Sequence, residues 1–127
     1  MQKVSILPLG AGCEVGRSCL ILTINNKKIM LDCGLMINKE DSDSLPLFDK
    51  IDPQEIAMII ITHAHLDHCG ALPYFLHKYE YKGKVFMTRP TKDIYQYLVR
   101  DTAKVQKEKA LFNNQQIQDS MDRICSV

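Results

Sequence analysis

The stretch Met58-Ile59-Ile60-Ile61-Thr62-His63-Ala64-His65-Leu66-Asp67-His68 decides how the rest of the chain is read. Its first four residues are an unbroken apolar run dominated by β-branched side chains. Such a run reads as a strand buried on both faces and covered by other layers. Thr62 follows, and then three of the chain's four histidines fall within six residues, together with an aspartate. A His-rich surface tract does not normally follow such a strand. The cluster reads instead as a site carried on a rigid platform.

In extended backbone, residues two apart point the same way, so His63 and His65 can reach one ion together. Asp67 and His68 come after the backbone turns and can face a neighbouring point. Zinc accepts imidazole nitrogen and carboxylate oxygen at about 2.0–2.2 Å, and catalytic sites keep a position open for water. Two ions about 3.5–4 Å apart can share a hydroxide and stabilise both oxygens of a phosphoryl displacement. The residues alone permit hydrolysis of an ester, amide, thioester or phosphodiester, and composition does not choose among them. His77, alone at an amphipathic position of the next helix, reads as non-functional. Cys69 reads as a small buried hydrophobe, with a thiolate ligand as the alternative.

Outward from the cluster, the first third of the chain reads as a meander of strands. Val4 to Leu9 forms the first and breaks at Gly10-Ala11-Gly12 and Gly16. Cys19 to Ile24 and Lys28 to Leu31 form a hairpin across Asn25-Asn26, residues that tolerate a tight turn. Residues 35–50 read as loop, and Asp52-Pro53 as a turn or short helix. After the cluster, a helix is expected from about Gly70 to Tyr79, then a strand from Lys84 to Thr88. Thr91 to about Lys107 reads as a helix with Ile94, Leu98 and Val105 near one face, and Gln115 to Ile124 as a last helix. Strands first, then strand–helix alternation, predicts an α/β fold with a mixed sheet and flanking helices.

At 127 residues the chain is one domain or a piece of one, with 46% apolar and 24% charged residues. A net charge of +1 gives no bulk attraction to nucleic acid or membrane. Eight bases against three acids between Tyr81 and Lys109 read as a solvated helix face, with a nucleic-acid patch as the alternative. The five cysteines form no C-x-x-C pair and read as reduced thiols of the cytosol or nucleus. No secretory leader is visible at Met1-Gln2-Lys3-Val4, and no apolar run approaches the ~18 residues of a membrane helix. The expectation is a soluble intracellular protein.

The order H-x-H-x-D-H after a buried strand resembles the ligand motif of the metallo-β-lactamase superfamily. The stretches from Leu9 to Ser18, from Ile29 to Gly34 and from Leu66 to Pro73 are similar to the β-CASP RNA nucleases within it. The polyadenylation branch of those nucleases is the nearest match and the Integrator branch the next. The resemblance covers essentially the whole chain. It implies an αββα sandwich, of which residues 1–127 would be the N-terminal part, with the C-terminal half and the inserted β-CASP domain absent. It implies two zinc ions in the complete enzyme, His63 and His65 holding one and Asp67 and His68 the other. Asp67 would also serve catalysis beside a metal-bound hydroxide. Asp32 would orient ligands from behind, although by itself it reads equally as a turn residue. The Gly10–Gly16 loop would lie near the metals.

Two local departures stand out. The family usually has Gln where this chain has Cys13, and a His-bearing loop where it has Gly34-Leu35-Met36-Ile37. The family's third metal histidine and bridging aspartate would lie beyond residue 127, which leaves two ligands per half-site where about three are needed. The resemblance therefore implies a zinc-dependent endoribonuclease of pre-mRNA 3′-end processing, nuclear, working with other subunits of a processing complex and present here as a fragment inactive on its own. Nothing in the chain reads RNA bases. The alternatives are another hydrolase of the same fold, acting on a thioester or small molecule, and a non-catalytic scaffold that dimerises through an exposed, incomplete sheet.

Overall fold

Six strands lie in one sheet in the order in which they occur in the chain. The structure is a computed structural model that describes residues 1–127. Strand β1 (Val4–Gly10) pairs antiparallel with β2 (Cys19–Ile24), and β2 pairs antiparallel with β3 (Lys27–Leu31). Asn25 and Asn26 turn the β2–β3 hairpin with φ of 49° and 64°, the left-handed pair that a two-residue hairpin needs and Asn tolerates. From β3 onward every pairing is parallel, through β4 (Ile56–Ile60), β5 (Lys84–Met87) and β6 (Ile124–Ser126).

Each parallel step needs a crossover. Between β3 and β4 the chain uses three short 3-10 turns, Asp41–Ser44, Phe48–Lys50 and Pro53–Glu55. Helices α1 (Leu66–Cys69) and α2 (Leu72–Lys78) join β4 to β5, and α3 (Arg89–Gln106) and α4 (Asn114–Arg123) join β5 to β6. Such connections are almost always right-handed, so a sheet that grows in one direction carries all of them on the same face. The α/β class and mixed sheet match the expectation from sequence.

Burial follows from that asymmetry. The register row Ile21–Met30–Ile59–Val85–Ile124 crosses five strands, and every member is buried in the core with helix residues Leu72, Phe75, Tyr95, Val99 and Ile117. The opposite face carries Pro8–Leu20–Leu31–Ile60–Phe86–Cys125 in one row and Ile6–Leu22–Ile29–Met58 in the next, all half-buried or exposed. The β4 run is thus covered on one face only, not on both as its composition suggests. Met58 and Ile60 look onto the bare side because no crossover passes there.

Other expectations are corrected at element level. The helix expected over residues 70–79 is α2, and a further single-turn helix, α1, precedes it and carries Asp67 and His68. Helix α3 starts at Arg89, because the Thr88 hydroxyl accepts from the Thr91 amide and Pro90 suits the first turn. Its buried face is Thr91, Tyr95, Val99 and Thr102, whereas Ile94 and Val105 are exposed and Leu98 is half-buried. The polar members of that face are paired internally: Tyr95 shares a hydrogen bond with Ser120 (2.8 Å), and the Thr102 hydroxyl donates to the Leu98 carbonyl (2.8 Å).

Helix α4 begins with a capping box between Asn113 and Gln116, and ends at Arg123. The expected helix end at Ile124 is instead the start of β6, a three-residue strand too short to show alternation. The basic run between Tyr81 and Lys109 is dispersed: Lys92 donates to the Ile124 carbonyl, Arg100 to Gln118, and Lys109 pairs with Glu40. No helix is long and apolar enough to cross a membrane.

The burial pattern predicts that Ile59→Ala lowers unfolding free energy by about 2–5 kcal/mol in urea titrations. Val105→Ala, at a site 70% exposed on the same measure as the buried row, stays within about 0.5 kcal/mol of the parent.

Candidate metal centre

Because β3 and β4 run parallel, with Leu31 beside Ile60, both strands end at the same edge of the sheet. In open α/β sheets, ligands bind outside these carboxyl ends. Asp32 leaves β3 at that edge with a φ of 64°, a left-handed conformation that is strained in a non-glycine residue. Its amide donates to the Ile60 carbonyl at 2.9 Å, which ties the strained residue to the neighbouring strand. The buried carboxylate accepts from the Thr62 amide through Oδ1 (2.7 Å) and from the Thr62 hydroxyl through Oδ2 (2.9 Å). His68 Nδ1 lies 2.8 Å from the same Oδ2.

The motif side chains gather in front of this carboxylate. The rings of His63 and His65 lie 4.7 Å apart, and those of His63 and His68 lie 4.1 Å apart, between centroids. Asp67 Oδ2 is 3.4 Å from His68 Nε2, and His63 Nδ1 is 2.9 Å from the Thr62 hydroxyl. The donor chemistry, imidazole nitrogen and carboxylate oxygen, is that of a zinc site. The count is short of one: no three His, Cys, Asp or Glu side chains of the chain form a group that could hold an ion. The residues therefore fit zinc in kind, and supply part of a ligand set rather than a closed one.

Backbone hydrogen bonds fix the loop. The amides of Cys33 and Leu35 donate to the carbonyls of His68 (2.8 Å) and Leu66 (2.9 Å), and the Ser18 amide donates to that of Asp67 (2.9 Å). Gly34 is required by this lacing, because a Cβ there would lie 1.8 Å from the Asp67 carbonyl oxygen. The loop that follows β1 comes alongside Asp67. Val15 and Gly16 join Leu35, Met36, Ile37, Asn38 and Asp67 around an open cleft of about 460 Å³.

Cys69 is fully buried, its thiol donating to the Ala64 carbonyl at 3.3 Å. Burial first, then the charges of Asp32 and Asp67, push it up to about 12, so it is a neutral thiol at pH 7. Burial likewise raises Cys19 and Cys33. His77 is exposed on α2, away from the cluster. The residue that sequence reading missed is Thr62, between the apolar run and the first histidine. A hydroxyl immediately before H-x-H is the signal that could have drawn attention to it.

A family model described as the metallo-beta-lactamase superfamily matches residues 14–113. The chain belongs to this superfamily. It is 48% identical over 126 residues to cleavage and polyadenylation specificity factor subunit 3-I of Arabidopsis thaliana, a match covering 97% of this chain and 18% of that protein. It is 47% identical over 124 residues to cleavage and polyadenylation specificity factor 73 of Drosophila melanogaster, covering 95% and 18%. Against Integrator complex subunit 11 of Gallus gallus the identity is 40% over 136 residues, covering 100% and 23%. The chain thus spans less than a quarter of the length of each of these relatives.

Two outcomes follow from the geometry. Gly34→Ala displaces the histidine-bearing loop, and differential scanning calorimetry records a loss above about 3 kcal/mol, as for other gross steric conflicts. Native-state alkylation followed by mass spectrometry modifies the exposed Cys13 and Cys125, while Cys19, Cys33 and Cys69 react only after unfolding.

Proposed function

We propose that these residues are the N-terminal part of the metallo-β-lactamase domain of a zinc-dependent endoribonuclease that hydrolyses a phosphodiester of pre-mRNA during 3′-end processing. The observation that carries the reading is the gathering of His63, His65, Asp67 and His68 at one sheet edge, in a chain 48% identical to a cleavage and polyadenylation factor subunit. In this reading His63 and His65 hold one zinc and Asp67 and His68 the other, with the remaining ligands supplied from outside residues 1–127. Bound zinc ions supply an activated water and offset charge on the phosphoryl oxygens. The chain's own part is to hold donors in place. Asp32 anchors His68 from behind, the Ser18 and Gly34 contacts keep Asp67 facing the cleft, and the cleft beside Asp67 receives the strand to be cut.

The same reading gives the bare sheet face an occupant, a second sheet of the same domain packed against it as in an αββα sandwich. Partners are the other subunits of a 3′-end processing complex, in the nucleus, by analogy with the polyadenylation and Integrator relatives. Residues 1–127 alone are expected to be inactive, and self-association across the bare face is the competing fate of the isolated chain.

Metal content and cleavage of a labelled single-stranded RNA by the protein that carries the whole domain test the proposal. The expected result is zinc in the purified protein, with cleavage abolished by chelation and by His65→Ala or Asp67→Asn. Asp32→Ala is expected to weaken zinc binding by about 10–100-fold. Zinc near zero, or cleavage unchanged in His65→Ala, overturns the reading.

A further inference from the structure

We infer that Thr62 is a positioning residue whose hydroxyl relays the hold of Asp32 to His63, so that one carboxylate sets the tautomer of one histidine in each half-site. The inference rests on the zinc reading for its purpose, but its geometry does not depend on a metal.

A threonine hydroxyl carries one proton. Thr62 Oγ1 has two partners, Asp32 Oδ2 at 2.9 Å and His63 Nδ1 at 2.9 Å. An ionised carboxylate only accepts, so the hydroxyl proton must point to Asp32. The hydroxyl oxygen then faces His63 with lone pairs alone, and the contact is a hydrogen bond only if His63 carries its proton on Nδ1. The reverse arrangement, with the hydroxyl donating to His63, would place two unprotonated oxygens 2.9 Å apart with nothing between them. His68 follows the same rule directly, because its Nδ1 lies 2.8 Å from Asp32 Oδ2 and must donate to it.

Both rings therefore present an Nε2 lone pair, the atom that in His68 already lies 3.4 Å from Asp67. The carboxylate responsible is held in turn by the Thr62 amide on Oδ1, so neither of its oxygens is free to rotate away. His65 is the internal control. It is exposed, and neither of its ring nitrogens has a hydrogen-bond partner in the protein. A threonine at this place as a plain exposed β-branched residue would owe nothing to the carboxylate at the end of the neighbouring strand; instead both its amide and its hydroxyl are committed to it.

The test is nitrogen-15 NMR of the histidine rings in the metal-free chain at pH 8, where ordinary histidine is neutral. His63 and His68 should show protonated Nδ1, and His65 the Nε2-protonated form that free imidazole side chains prefer. Thr62→Val, which keeps the shape and removes the hydroxyl, should release His63 to the His65 pattern while His68 is unchanged, and Thr62→Ser should restore the native pattern. A native His63 protonated on Nε2 overturns the relay outright, even if the valine variant does not fold. So does a His63 that keeps its Nδ1 proton in a folded Thr62→Val chain. Zinc titration of the native protein and of both variants, each carrying the whole domain, separates the two ideas. The valine variant should bind about 10–100-fold more weakly than the native chain and the serine variant about as well. A shifted tautomer with unchanged zinc affinity overturns positioning as the role of the relay, whereas no zinc binding by any of them overturns the metal reading and leaves the tautomer result to stand or fall by itself.

Discussion

The parallel pairing of β3 with β4 is the constraint on which the rest of the molecule depends. Antiparallel neighbours would have put Asp32 and Thr62 at opposite ends of the sheet. Parallel neighbours, with Leu31 beside Ile60, deliver both to one edge, and the Asp32 amide closes the last rung of the ladder on the Ile60 carbonyl. From that rung the carboxylate reaches Thr62 and His68, and the loop between Thr62 and Cys69 is folded back over residues 33–35. The strained backbone at Asp32 is held because strand pairing on one side and the histidine-bearing loop on the other leave it no alternative.

What could be read in the residues and what could not divides by distance along the chain. The crowding of His63, His65, Asp67 and His68 is a matter of six consecutive residues, and spacing alone places two of them on one side of an extended segment and two beyond a turn. Asp32 bonds His68 across 36 positions, and no local pattern distinguishes a carboxylate that does so from one that merely turns the chain. Thr62 takes its role from Asp32, so the hydroxyl before H-x-H marks the residue without disclosing what it does. The three strands of the first third were legible because short apolar runs, the glycines that break them and the Asn25-Asn26 turn are local signals.

The failures are equally physical. In α3 the period of 3.6 admits more than one apolar stripe, and the choice fell to Tyr95 and Val99 over Ile94 and Val105 because Ser120 offers Tyr95 a buried partner. In β6, three residues carry no period at all, and Ile124 is a strand residue only because β5 presents an unpaired edge. The composition of β4 spoke for two buried faces, yet burial of a second face requires a layer to supply it, and every crossover of this sheet runs on the other side.

That bare side also governs how the molecule meets its surroundings before its helices matter at all. Pro8, Leu20, Leu31, Ile60 and Phe86 form a continuous apolar band with no ionisable group among them. Unlike an edge strand, such a band cannot be blunted by one lysine or a bulge, since its stickiness is spread over many side chains. For this polypeptide, colloidal behaviour is therefore decoupled from folding stability. The core on the helical side can be fully formed while the other side still presents apolar surface to other molecules of the same kind.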